Sequence, residues 1–75
     1  MKNTTMDYAK MGKRVRARRR AQDITQERLA ELAGVSTSFI GHIERGSRVL
    51  SVETLHRICI ALGASADDLM GLSEN

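Results

Sequence analysis

Apolar residues return along this chain every three or four positions, the spacing of one helix face, and do not alternate as they would in a half-buried strand. Tyr8, Met11 and Val15 form a first narrow stripe, and Leu29, Ala30, Leu32 and Ala33 a second. Ile40 with Ile43 makes a third, and Val52, Leu55, Ile58, Cys59 and Leu62 a fourth. The punctuation agrees with that division. Thr25, Ser36 and Ser51 stand just ahead of a stripe, where a hydroxyl can accept from an amide of the first helical turn. Gly34, Gly46 and Gly63 follow the stripes, where a left-handed residue can end a helix. The pattern predicts helices from about Asp7 to Ala21, Gln26 to Ala33, Thr37 to Arg45 and Val52 to Leu62. Ser65-Ala66-Asp67-Asp68 opens a short fifth, from which Leu69 covers the end of the bundle, and Gln22-Asp23-Ile24 separates the first two. The expected fold is all-α, a compact five-helix bundle without internal repeats or linkers.

Helix, tight turn and helix over about residues 25–45 make a helix-turn-helix, joined by Gly34-Val35-Ser36. Ala30 is small where the two helices cross, and Val35, Ile40 and Ile43 anchor the second of them to the core. Thr37, Ser38, Gly41, His42 and Arg45 are then left pointing outward. An ordinary solvated helix would carry pairs of lysine and glutamate there. Short or absent side chains instead leave a face that fits a groove about 12 Å wide, with hydroxyls and an imidazole able to read base edges.

Size and charge narrow the possibilities. Seventy-five residues allow a single domain, 1–75, with its core over about 8–70. A chain this short buries only about 60–65% of its unfolded surface, which leaves little room for an enclosed active site. Residues 1–22 carry eight basic side chains against Asp7, net +7, whereas residues 23–75 carry four arginines against eight carboxylates, net −4. A basic segment on a mildly acidic body favours polyanions, nucleic acid ahead of an anionic membrane; a solvated helix face is the plainer alternative. No nucleophile–base pair or phosphate-cradling glycine loop is present, so no enzymatic activity, cofactor or small-molecule substrate is expected. His56 and Cys59, three apart, and His42 fall short of a supported metal set, and no metal is expected. The longest apolar run is far below the roughly 20 residues of a membrane span, and one cysteine allows no internal disulfide. The expected location is the cytoplasm, at the nucleoid.

Three segments carry a resemblance to a known family: ITQERLAELAGVS, FIGHIERG and SVETLHRICIALGASADDL. They resemble the Cro/C1-type (XRE) helix-turn-helix family of bacterial and phage transcription regulators, over about Met11 to Leu69. The resemblance implies a lambda-repressor-like five-helix fold with its third helix in the major groove of double-stranded DNA. Thr37, Ser38 and His42 would face bases, and Gly41 would be a point of close approach. Gln26, Arg45, Ser47 and Arg48 would follow the backbone, and Arg19 of the first helix would pair with Glu44. His42 as a plain surface imidazole stays open beside its contact with DNA. Phe39 is expected to pack partly on the second helix, with the sugar-phosphate backbone as its alternative. The chain departs from the pattern in three places. Val49-Leu50 stands where Asn-Pro is common, Gln22-Asp23 where a turn glycine is common, and Arg18 where a core aliphatic is usual.

Val49, Leu50 and Ile60 have no clear place in the core and are expected at a homodimer interface, with crowding into the local core as the alternative. Together these expectations describe a sequence-specific regulator, a dimer on a near-palindromic operator and more naturally a repressor than an activator. The competing expectation is a protein-interaction module, an antitoxin or adaptor, whose DNA binding is secondary.

Overall fold

The computed structural model describes residues 5–72, which form five helices: α1 Tyr8–Ala21, α2 Gln26–Ala33, α3 Thr37–Glu44, α4 Val52–Leu62 and α5 Ala66–Met70. Each begins on a side chain that accepts from an amide in its first turn: Asp7, Thr25, Ser36, Ser51 and Ser65 in order. Such a cap is worth about 1 kcal/mol against alanine. Helices α1 and α2 both pack against α3, α2 also packs on α4, and α5 packs against α1 and α4. Met11, Val15, Leu29, Ile40, Ile43, Ile58, Leu62 and Leu69 are fully buried between them.

Gly12 explains how closely α1 meets α3. A Cβ there would lie 2.3 Å from the Ile43 carbonyl oxygen and 2.7 Å from that of Glu44, so the two backbones touch. Asp23 takes the left-handed conformation (φ 56°) in the turn between α1 and α2, which an aspartate tolerates better than most residues. The Gln22 side-chain amide beside it donates to the Leu62 carbonyl at 2.6 Å, tying that turn to α4.

Several expected positions are corrected. Helix α3 ends at Glu44, with Arg45 as its cap rather than its last residue. Leu32, expected inward, is 45% exposed, and Val52, also expected inward, is 84% exposed. In α2 the buried set is Leu29, Ala30 and Ala33, one side of the helix. At roughly 100° per residue Leu32 falls off that side despite being apolar. Val52 stands in the first turn of α4 at the edge of its stripe. Of the three residues expected at a dimer interface, Leu50 is half-buried against the chain's own core and borders an open apolar hollow, and Val49 and Ile60 are each 71% exposed. Arg18 is solvent-facing, and its guanidinium donates to the Gly63 carbonyl at 3.0 Å.

Candidate nucleic-acid interface

The orientation of α3 is set by a buried ion pair. Arg19 of α1 donates from Nε to Glu44 Oε2 at 2.6 Å and from Nη2 to Oε1 at 3.0 Å. Its Nη1 donates to the Ile24 carbonyl at 2.8 Å, in the turn before α2. Gln26, the first residue of α2, donates from Nε2 to Glu44 Oε1 at 3.1 Å. One carboxylate at the end of α3 therefore holds the C-terminal part of α1 and the start of α2. Among the described residues no buried side-chain N or O atom lacks a partner.

Burial alone would push the Glu44 carboxyl upward. The hydrogen bonds from Arg19 and Gln26, with the charges of Arg19 and Arg16, outweigh it and hold the group below its usual value. The hydrogen bond to Glu44 likewise raises Arg19 above the ordinary guanidinium value, against its own desolvation.

The outward side of α3 divides into three places. At its start, Thr37 is exposed and borders an open cleft of about 420 Å³ shared with Arg16, Arg19, Arg20, Thr25, Gln26 and Glu27. The cleft lies at the N-terminus of α2, where amides and helix dipole both favour an anion. Arg16 and Arg20 were not expected here. The signal was available, since a buried Arg19 fixes the rotation of α1 and turns its flanking arginines toward α2.

In the middle, Ser38 is exposed but Gly41 is buried. The Arg45 guanidinium covers it, with Nη1 3.2 Å from where a Cβ would stand. At the C-terminal end, half-buried His42 places Nδ1 3.2 Å from Ser47 Oγ and 3.3 Å from Arg45 Nη2. The Ser47 hydroxyl donates to the His42 carbonyl at 3.1 Å. Beyond it, Arg48 lies over the Phe39 ring, 5.6 Å from the centroid. Phe39 itself is half-buried against the core.

Thr37, Ser38, His42, Arg45 and Gln26 thus share one side of the molecule, with Arg16 and Arg20 beside them. Gln26 is already engaged by Glu44, so its oxygen and remaining N–H are what it has left to offer. Such a side can receive a polyanion and present hydroxyls, an imidazole and a guanidinium to it. A separate side, on α4, is apolar. Val52 stands between a hollow of about 230 Å³, bordered by Met6, Tyr8, Leu50, Leu55 and Met70, and another of about 220 Å³ over His56, Cys59 and Ala66. Cys59 is buried there, and burial raises its thiol above the usual value. His56 is exposed. Among the described residues no helix is long and apolar enough to cross a membrane.

Comparison with known proteins agrees with the fold. Residues 10–70 match the family model described as a helix-turn-helix domain. The chain is 41% identical over 58 residues to the HTH-type transcriptional regulator YazB of Bacillus subtilis, covering 77% of this chain and 84% of that protein. Its fold superposes on the restriction-modification controller protein C.AhdI of Aeromonas hydrophila with a TM-score of 0.81 and 35% identity, over 87% of this chain and 98% of the other. It also superposes on the P22 c2 repressor in complex with a synthetic operator, with a TM-score of 0.77 and 38% identity, over 80% and 91% of the two chains.

Proposed function

The chain belongs to the Cro/C1-type helix-turn-helix family and is a DNA-binding transcription regulator, not an enzyme, and from that premise we propose that it is a sequence-specific repressor. In this proposal a homodimer sets two copies of α3 into successive major grooves of a near-palindromic operator and occludes the promoter. The observation that carries it is the side made by α3 and the start of α2. Two short hydroxyl side chains, an imidazole and one arginine line the outer face of the helix, a cationic cleft adjoins it, and a buried ion pair holds its end.

Thr37, Ser38 and His42 face base edges, while Gln26, Ser47 and Arg48 follow the phosphates with Arg16 and Arg20. Phosphate neutralisation supplies most of the affinity, so binding falls steeply with salt. Dimer contacts come from the apolar side of α4, where Val52 and Ile60 are exposed, with Val49 just before the helix. Both hollows beside Val52 are of a size to accept apolar side chains from a second copy.

Selection from a random duplex pool at physiological salt tests the proposal. The expected result is a two-fold motif with half-sites about one helical turn apart. A lone half-site would remove the dimer and keep the reading of DNA. Salt-sensitive retention without a motif would overturn the repressor in favour of a partner-binding module.

A further inference from the structure

Gly41 occupies the centre of the outward face of α3, yet it is buried, and what buries it belongs to the same helix end. Side chains on an α-helix lean toward its N-terminus and cover the residue about one turn earlier. Arg45 follows that course. A Cβ at Gly41 would lie 3.2 Å from Arg45 Nη1, 3.6 Å from Nη2 and 3.8 Å from Cζ, so the missing side chain lets the guanidinium settle against the helix backbone. Nη2 lies 3.3 Å from His42 Nδ1, which can accept from it when the ring proton is on Nε2.

Two further observations bear on what this guanidinium is for. No carboxylate holds the Arg45 guanidinium, as none holds Arg16, Arg18, Arg20 or Arg48 among the described residues, so its N–H groups stay open to an outside acceptor. The rest of the face offers single hydroxyls from Thr37 and Ser38 and one ring from His42. None of these presents two parallel donors, and Arg45 does.

We propose that Arg45 is a specificity-determining residue that reads a guanine in each half-site, with Gly41 as the seat that admits its guanidinium to the centre of the face. Two N–H groups of the fork match guanine O6 and N7, the donor pattern that arginine supplies in the major groove. The glycine belongs to the same device, because a Cβ at position 41 would stand 3.2 Å from Nη1 and push the fork outward by a few tenths of an ångström. The inference rests on α3 entering the major groove.

Site selection with the full chain and with Arg45→Ala, Arg45→Lys and Gly41→Ala tests it, with melting curves to establish that each variant is folded. The wild type is expected to enrich one G·C pair per half-site that both Arg45 variants lose while the other positions persist. Lysine retains the charge but not the fork, so it does not rescue the preference. Discrimination of guanine from adenine there falls from roughly 5- to 100-fold to near parity. Gly41→Ala weakens the same position, because the flexible guanidinium gives way to the new Cβ.

Binding to phosphate gives a different outcome. Arg45→Ala would weaken all sites alike and lower the salt slope by about one, and Arg45→Lys would restore most of the affinity; that result overturns the inference. A wild type that enriches no motif overturns it together with the placement of α3, and the wild-type data alone tell the two failures apart.

Discussion

Arg19 and Glu44, 25 residues apart in sequence, meet in a two-pronged ion pair in which they remain only 8% and 6% exposed. Glu44 is the last residue of α3, so the pair adds directional bonds at the end of the helix that Gly12 packs against. Removing two charges from water costs nearly as much as their attraction returns. What the pair confers is therefore orientation more than net stability.

A single substitution should separate those two contributions. Glu44→Ala leaves the Arg19 charge buried without a counter-ion, and a loss of about 3–5 kcal/mol is expected in urea unfolding. The double variant Arg19→Met with Glu44→Leu should recover most of that stability but not the operator affinity, because the directional bonds that set the end of α3 against α1 and α2 are then gone. Equal recovery of both would show that the angle of α3 does not depend on the pair.

The same carboxylate makes a pH prediction. Glu44 is held below its usual value near 4.5, so the unfolded chain binds its proton more readily than the folded one does. Its contribution is complete above the unfolded value and is lost as pH falls through the folded one. Stability should drop on acidification below about pH 4.5. Glu44→Gln should flatten that limb of the curve, and an unchanged acid limb would assign the acid sensitivity to other carboxylates.

Most of the architecture was legible because local signals were unopposed. Hydroxyl caps at Thr25, Ser36 and Ser51 and a left-handed glycine at position 34 mark helix ends whatever packs around them. Leu32 and Val52 were misplaced for a different reason. Being apolar and at helical spacing does not say which part of an apolar stripe the neighbouring helices reach. Arg18 and Gly41 depended on long side chains, whose course follows backbone carbonyls and gaps rather than residue type. Arg16 and Arg20 became assignable only when the rotation of α1 was fixed by Arg19.

Gly12 gives a test of that close packing. In an isolated helix alanine is more favourable than glycine by about 1 kcal/mol. Here the new Cβ would meet two backbone carbonyl oxygens that cannot rotate away. Overpacking of about 1–3 kcal/mol or more should prevail, so Gly12→Ala lowers the melting temperature. An increase would mean that α1 and α3 separate at little cost.

The apolar side of α4 predicts how the dimer responds to charge. Val52 and Ile60 are eight residues apart on one side of the helix and largely exposed, so aspartate at either leaves the protomer core intact. Ile60→Asp should sediment as a folded monomer. Affinity for a duplex with two half-sites should fall by roughly 10²- to 10⁴-fold, the advantage of linked binding, while a single half-site is bound as before. A dimer that survives both substitutions would place the interface elsewhere.

Arg16 and Arg20 border the cleft at the start of α2, whereas Arg18 is turned to the other side and bound to the Gly63 carbonyl. The three arginines should therefore behave differently although they lie within five residues. Arg16→Ala and Arg20→Ala should each weaken DNA binding across all sequences and reduce the slope of log affinity against log salt by about 0.9 for each phosphate no longer neutralised. The base preference should be unchanged, because phosphate contacts position the protein without reading sequence. Arg18→Ala should leave the slope as it is and affect only melting. Titrations at several salt concentrations distinguish the cases, and an equal effect at all three positions would show that the field of α1 as a whole, rather than the cleft, attracts the DNA.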